Sequence, residues 1–327
     1  MKIIHKKPVR TLSFFSTLLF LILATGCVMQ NSAVPVAYNN EITISNSLVE
    51  LTVAPEVGRI VAFGRIGGPN LLWRNSATAV EKSKADKKWT NYGGDKVWPS
   101  QIDLWRRFHG DKIPDPYIDG TCWKVLYKSP LKIVMQSPLS KDLNLKITRT
   151  IELAGNKPTV KITNLMERMG YSPFPVYIWT VTQVKQPLYC QLDVAAERPF
   201  KDQLYWTINQ PPIEVIKRNG AKTLRFGMLP ENFLKVCAFG RWCAAIYADC
   251  VFKQSTSYDP KGCYPDRASV EVFWTALNTV KPMAPNAPPE ALSPDYVELE
   301  TLSPQLHLKP GQKIESVVTW ELLDRKL

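Results

Sequence analysis

The sequence predicts an all-β protein, one large antiparallel domain running from about residue 41 to the C-terminus. Three observations carry that expectation. Apolar and polar residues alternate with a period of two in many short runs between residues 41 and 322. The runs are divided by Pro, Gly, Asn and Asp, residues that end strands and shape turns. No long stretch carries a 3.6-residue apolar stripe, and no repeat of 20–50 residues marks a solenoid or propeller.

In chain order, residues 41–46 and 49–54 alternate across a short Asn-Ser connection and read as a hairpin. Residues 59–64 make a third strand that ends in the turn Gly67-Gly68-Pro69-Asn70. Residues 76–90 are polar and read as a loop. Asn91 to Gln101 also reads as a loop, because its Gly93-Gly94 pair lacks the spacing of a phosphate-binding glycine motif. Two readings of this loop stay open. Trp98 beside Pro99 is a buried plug, or Trp98 is a platform for a sugar ring with Asp95 and Lys96 as hydroxyl partners. Residues 123–136, 143–153, 159–164 and 173–183 are further strands. Short strands follow at 192–194, 223–226, 234–239, 242–248 and 270–275, and the Pro-rich residues 281–295 read as a surface loop.

Tyr296-Val-Glu-Leu-Glu-Thr-Leu302 is a strand with two unlike faces. Val297, Leu299 and Thr301 point one way, and Tyr296, Glu298, Glu300 and Leu302 the other. The two carboxylates stand roughly 6.5–7 Å apart along the strand. Composition favours an outer, solvated face, since Glu is mostly exposed. Pro304 closes the strand, and residues 314–322 form the last one, with Trp320 inside it.

Residues 1–26 read as an export signal. Lys2, Lys6, Lys7 and Arg10 precede an apolar run, Leu12 to Leu23, that is short for a bilayer span. The run ends in Leu23-Ala-Thr-Gly-Cys27, a bacterial lipoprotein pattern in which Cys27 becomes the lipidated N-terminus. Val28 after it favours the outer membrane, and residues 27–40 form a tether ahead of a domain at 41–327. Losing four basic residues with the signal takes the formal charge from +12 to +8. The remaining positive charge is scattered, without the stripe or module that nucleic-acid binding needs. No residue pattern asks for a cofactor. The six later cysteines lack a C-x-x-C pair and neighbouring histidines, so a metal is not indicated. Four of them crowd into residues 237–263, where a disulfide and free buried thiols are equally open.

Three landmarks then point to a family: Tyr92-Gly-Gly-Asp-Lys-Val-Trp-Pro-Ser-Gln101, Trp179-Thr-Val-Thr-Gln183, and Tyr296 to Pro304. In this order, with Pro310-Gly311 before the last strand, the mature chain resembles an uncharacterised bacterial family within the galactose-mutarotase-like superfamily. The resemblance implies a β-supersandwich of large antiparallel sheets with a sugar site on one concave face. It also implies that Glu300, in the context Leu299-Glu300-Thr301, takes the place of the general base of aldose mutarotases. The family's histidines do not carry over, because Tyr92 precedes the Gly-Gly pair and Trp179 stands in the second region. His109 is the candidate acid, while His307 sits in a turn.

These readings support a carbohydrate-binding lipoprotein with Asp95, Lys96, Trp98, Trp179, Gln183 and Glu298 around Glu300. The alternatives are an epimerase- or mutarotase-like enzyme with Glu300 as base and His109, Lys96 or Asp95 as its partner, and a structural envelope protein. A glycosidase fits poorly, since its two carboxyls flank the scissile bond, whereas Glu298 and Glu300 share one wall.

Overall fold

The computed structural model of the chain describes residues 34–86, 88–100, 105, 107, 114–195, 203–229, 233–275 and 296–325. Cys27, His109 and residues 281–295 lie outside them. The first half holds β1 (Ile42–Ser45), β2 (Val49–Ala54), β3 (Arg59–Arg65), α1 (Ala77–Ala85), β4 (Asp95–Trp98), β5 (Lys124–Ser129), β6 (Lys132–Gln136), β7 (Leu145–Leu153) and β8 (Thr159–Arg168). Then come β9 (Trp179–Lys185), β10 (Tyr189–Val194), β11 (Trp206–Ile208), β12 (Ile213–Arg218), β13 (Ala221–Phe226) and β14 (Leu234–Ala238). The chain continues with β15 (Trp242–Ile246), β16 (Cys250–Thr256), β17 (Val270–Trp274), β18 (Tyr296–Leu302) and β19 (Lys313–Asp324).

The strands build two antiparallel sheets. One has nine strands in the order β1-β2-β3-β4-β9-β18-β17-β14-β11, and the other ten, β12-β13-β10-β15-β16-β19-β8-β7-β6-β5. Their facing sides enclose the main core, with Val49, Leu51, Val184, Val297, Leu299 and Val272 from the first sheet. Ile147, Ile151, Val160, Ile162, Phe252 and Trp320 oppose them from the second. The period-two alternation is what makes this arrangement possible, because each strand contributes one apolar row to the core.

The structure departs from the sequence expectations locally. Residues 76–90 contain α1, started by Ser76, whose hydroxyl accepts the Ala79 backbone N–H. Asp95–Trp98 is a strand and not part of a loop, because it slots between β3 and β9. The span 123–136 divides into the hairpin β5–β6. The strands β11, β12 and β16 have no counterpart in the expectation. The cysteines of the described residues are free thiols. Cys237 belongs to the nine-stranded sheet, whereas Cys243 and Cys250 belong to the ten-stranded one, so closeness in sequence separates into different layers.

Candidate functional site

The candidate site lies on the face of the nine-stranded sheet turned away from the core. Strand register places its residues. Glu298 stands opposite Gln183, Glu300 opposite Val181, and Leu302 opposite Trp179 across β18–β9. On the far side of β9, Lys96 pairs with Val181 and Trp98 with Trp179. On the far side of β18, Glu271 faces Glu300 and Phe273 faces Glu298. Next to them on β14, Lys235 pairs with Phe273 and Cys237 with Glu271. Directly opposed side chains in an antiparallel pair point to the same face, so all of these share one surface.

Two lysines organise its charges. Lys96 Nζ is 3.4 Å from Glu298 Oε1, which also accepts the Gln183 amide at 2.9 Å. The Lys96 ammonium lies 4.6 Å from the centre of the Trp98 ring and 5.8 Å from that of Trp89. Burial lowers the Lys96 pKa against the pull of Glu298. Burial raises that of Glu298, with Lys96 opposing. Lys235 Nζ is the second hub, 2.5 Å from Glu271 Oε2, 3.5 Å from Glu300 Oε2 and 3.9 Å from Asp266 Oδ2. Burial disfavours its charge, yet the carboxylates of Glu271 and Glu300 outweigh that and raise its pKa well above the ordinary lysine value. Glu300 Oε2 also accepts the Trp179 indole N–H at 2.9 Å.

Beside this row lies an aromatic layer of Trp98, Trp105, Tyr177, Trp179, Phe239 and Tyr264. Trp98 meets Trp105 and Trp179 edge-on at 5.4 and 5.1 Å, and its N–H donates to Asp119 at 2.9 Å. Asp119 also takes the Trp89 N–H at 3.0 Å and the Arg59 guanidinium at 2.8 Å. Among the described residues no group of three or more His, Cys, Asp and Glu side chains is arranged to hold a metal ion.

A family model described as a domain of unknown function, DUF4380, matches residues 39–323. The chain belongs to the DUF4380 family. No curated protein sequence matches it. Solved structures share the fold of this DUF4380 domain at low identity. A provisionally assigned aldose 1-epimerase from Escherichia coli K12 superposes with a TM-score of 0.54 at 10% identity, over 88% of this chain and 99% of its own. A galactose mutarotase-like protein from Lactobacillus casei gives 0.51 at 10% identity, over 86% of this chain and 100% of its own. A galactose mutarotase-like protein from Clostridium acetobutylicum gives 0.50 at 12% identity, over 87% and 95%. The DUF4380 domain therefore has the galactose-mutarotase-like fold expected from the sequence.

The structure brings Lys96, Trp98, Trp179, Gln183, Glu298 and Glu300 of the DUF4380 domain to one face. Asp95 is a correction. As the neighbour of Lys96 in a strand, it points to the opposite side, into the core, where it pairs with Arg149 of the other sheet. Its second oxygen accepts the Thr182 hydroxyl at 2.9 Å. Glu298 and Glu300 share a face as expected but are not solvated, their side chains being 16% and 2% exposed. Trp98 is a packed residue with its ring already covered, so it offers no open platform. His307 is exposed, in the irregular stretch that follows β18. Sequence reasoning missed Glu271, Lys235, Asp266 and Tyr177. The readable signal was a single charge inside each of two apolar strands, Val270–Trp274 and Leu234–Ala238. Charged residues are buried in that way only when paired.

Proposed function

We propose that this protein binds a carbohydrate on the outer face of its nine-stranded sheet, with Glu300 as the central hydrogen-bond acceptor. One observation carries the reading. Glu300 is fixed by the Trp179 indole and the Lys235 ammonium on the same face as Lys96, Gln183 and Glu298. A preset group of charged and amide side chains beside indole rings is what a polyhydroxylated ligand requires. The fold shared with galactose mutarotase-like proteins supports the reading, and identities near 10% carry no residue roles across. Carboxylates outnumber lysines here, since Glu271, Glu298, Glu300 and Asp266 face Lys96 and Lys235. The site therefore suits a ligand that supplies hydroxyl donors, and an added carboxylate or phosphate on the sugar meets repulsion. Attachment to the outer membrane through a lipidated Cys27 belongs to the same proposal.

The test is a panel of neutral, amino and acidic sugars measured by calorimetry or on a glycan array. Neutral or amino sugars should bind while uronates do not, and Glu300→Gln should weaken the binding. Equal binding of neutral sugars and uronates, or no effect of Glu300→Gln, would refute the assignment. A second reading, interconversion of sugar anomers, is favoured by one specific feature: two carboxyl groups, Glu271 and Glu300, stand directly opposite each other.

A further inference from the structure

We infer that α1 and Trp89 form the membrane-facing surface of the domain, seated on a bilayer with acidic headgroups. The inference rests on the lipid anchor at Cys27 proposed above and adds which side of the domain that anchor draws down. Residues 34–41, just after the anchor, are a strap bound to the body of the domain. Pro35 makes a β-bridge with Ser76, and the Val36 N–H donates to the Asn75 carbonyl at 2.9 Å. The Val34 carbonyl accepts the Ala77 N–H at 3.0 Å. The Arg74 guanidinium donates to the Val36 carbonyl, pairs with Glu41 and lies 5.3 Å from the centre of the Tyr38 ring. Val36 is buried together with Val57, Val61 and Val80.

The strap leaves little slack. Cys27 and Val34 are seven residues apart, and a chain of that length spans at most about 25 Å when fully extended. The strap brings Val34 to Ala77, the first residue of α1. The helix has nine residues, so it is about 13 Å long. All of α1 is therefore closer to Val34 than the acylated cysteine can be drawn away. The end of the domain that carries α1 is the end held at the bilayer.

The chemistry of that end suits a headgroup layer. α1 turns Ala79, Val80 and Ser83 inward and leaves Glu81, Lys82, Lys84 and Ala85 exposed. The stretch Glu81-Lys-Ser-Lys-Ala-Asp-Lys-Lys88 sets four lysines against Glu81 and Asp86, a surplus of two positive charges. Lys84 pairs with Glu81 at 3.1 Å and Lys88 with Asp86 at 3.6 Å, on exposed side chains. Ion pairs in water hold so weakly that a lipid phosphate can take the place of either carboxylate. Each basic residue brought to an acidic bilayer strengthens attachment about fivefold. Trp89 follows at once. Its N–H donates to Asp119 at 3.0 Å, while 37% of the residue stays open to solvent. An indole with one packed side and one wet side is the group that sits at headgroup level. Its ring is 6.4 Å from that of Trp98, so the rim of the candidate site on this side lies next to the lipid.

The experiment uses the acylated protein, recovered from membranes and reconstituted into two kinds of vesicle. One kind is phosphatidylethanolamine with phosphatidylglycerol, and the other is phosphatidylcholine alone. Mass spectrometry of the N-terminal peptide reads the acylation of Cys27, and amide hydrogen exchange reads which surface is covered. On the acidic vesicles residues 77–89 should exchange more slowly than in detergent. The protection should shrink on phosphatidylcholine and as the salt concentration rises. Brominated lipids should quench a tryptophan emission that Trp89→Phe removes. Combining Lys82→Gln, Lys84→Gln and Lys88→Gln takes the formal charge of residues 81–88 from +2 to −1. That variant should keep its acyl group and its unfolding midpoint and lose the protection. Acylated protein whose residues 77–89 exchange equally on both vesicles, or whose protection survives the three substitutions, overturns the membrane face and leaves the anchor standing. An N-terminal peptide without an acyl chain overturns both.

Discussion

Glu300 shows how a charge survives burial. Its carboxylate keeps an indole donor at 2.9 Å and an ammonium at 3.5 Å, so the solvation lost on folding is replaced by fixed partners. A charge-assisted hydrogen bond of this kind to a ligand hydroxyl contributes about 1.5–3 kcal/mol. Glu300→Gln should therefore weaken sugar binding about 10- to 100-fold in calorimetry, with the circular dichroism spectrum unchanged. Trp98 leads to a different expectation from the one its sequence context suggests. Its ring is enclosed by Trp105, Trp179 and the Lys96 ammonium. Trp98→Ala should leave a cavity and destabilise the domain by about 3–5 kcal/mol in denaturant titration, before any effect on binding is considered. Lys235 carries a pH signature. Its folded pKa lies above 10.5, so the stability it contributes is complete below that pH and is lost as pH rises through the folded value. Lys235→Met should flatten the alkaline limb of the stability curve.

At the level of the strand, β4 explains both what was readable and what was not. Four residues between two Gly and a Pro look like a loop, and only pairing with β9 makes them a strand. Once paired, the period of two sends Lys96 and Trp98 outward and Asp95 and Val97 inward. Gly94 is fixed by the same junction. It holds φ +71°, and a Cβ there would lie 2.2 Å from the Ile60 carbonyl oxygen. By contrast β18 was legible down to its two faces, because Val297, Glu298, Leu299 and Glu300 alternate strictly at its centre. Of the partners of its glutamates, Lys96, Gln183 and Trp179 were among the expected site residues, whereas Glu271 and Lys235 were not, since they come from other strands and only tertiary register joins them. The inward residues define a further test. Asp95 and Arg149 are an ion pair wholly enclosed between the sheets, with Arg149 Nε also donating to Asn164 at 2.9 Å. Removing one partner strands the other charge, so Arg149→Ala should cost about 3–5 kcal/mol, read as a fall in Tm. Changing both residues to apolar ones of similar size should recover much of that loss.

Across the molecule the two layers divide the work. The ten-stranded sheet supplies one wall of the core and the counter-charge Arg149, while the nine-stranded sheet presents the polar row on its other side. That division follows from alternation, which is why the fold class could be read from the sequence before any site residue could be placed. The charged row runs from Lys96 on β4 to Lys235 on β14, and the groups holding it begin at Arg59. Every described side chain of the row belongs to residues 59–302, well after Cys27. The proposed anchoring and the proposed sugar binding can then be tested separately. Cys27→Ser should abolish metabolic labelling with a radioactive fatty acid and release the protein from the membrane fraction. The same variant, purified, should bind sugar with the affinity of the unsubstituted protein and unfold with the same midpoint in denaturant. Recovery of Cys27→Ser in the membrane with its acylation intact would exclude Cys27 as the attachment point. A loss of sugar affinity in the released protein would instead show that the first forty residues take part in the site.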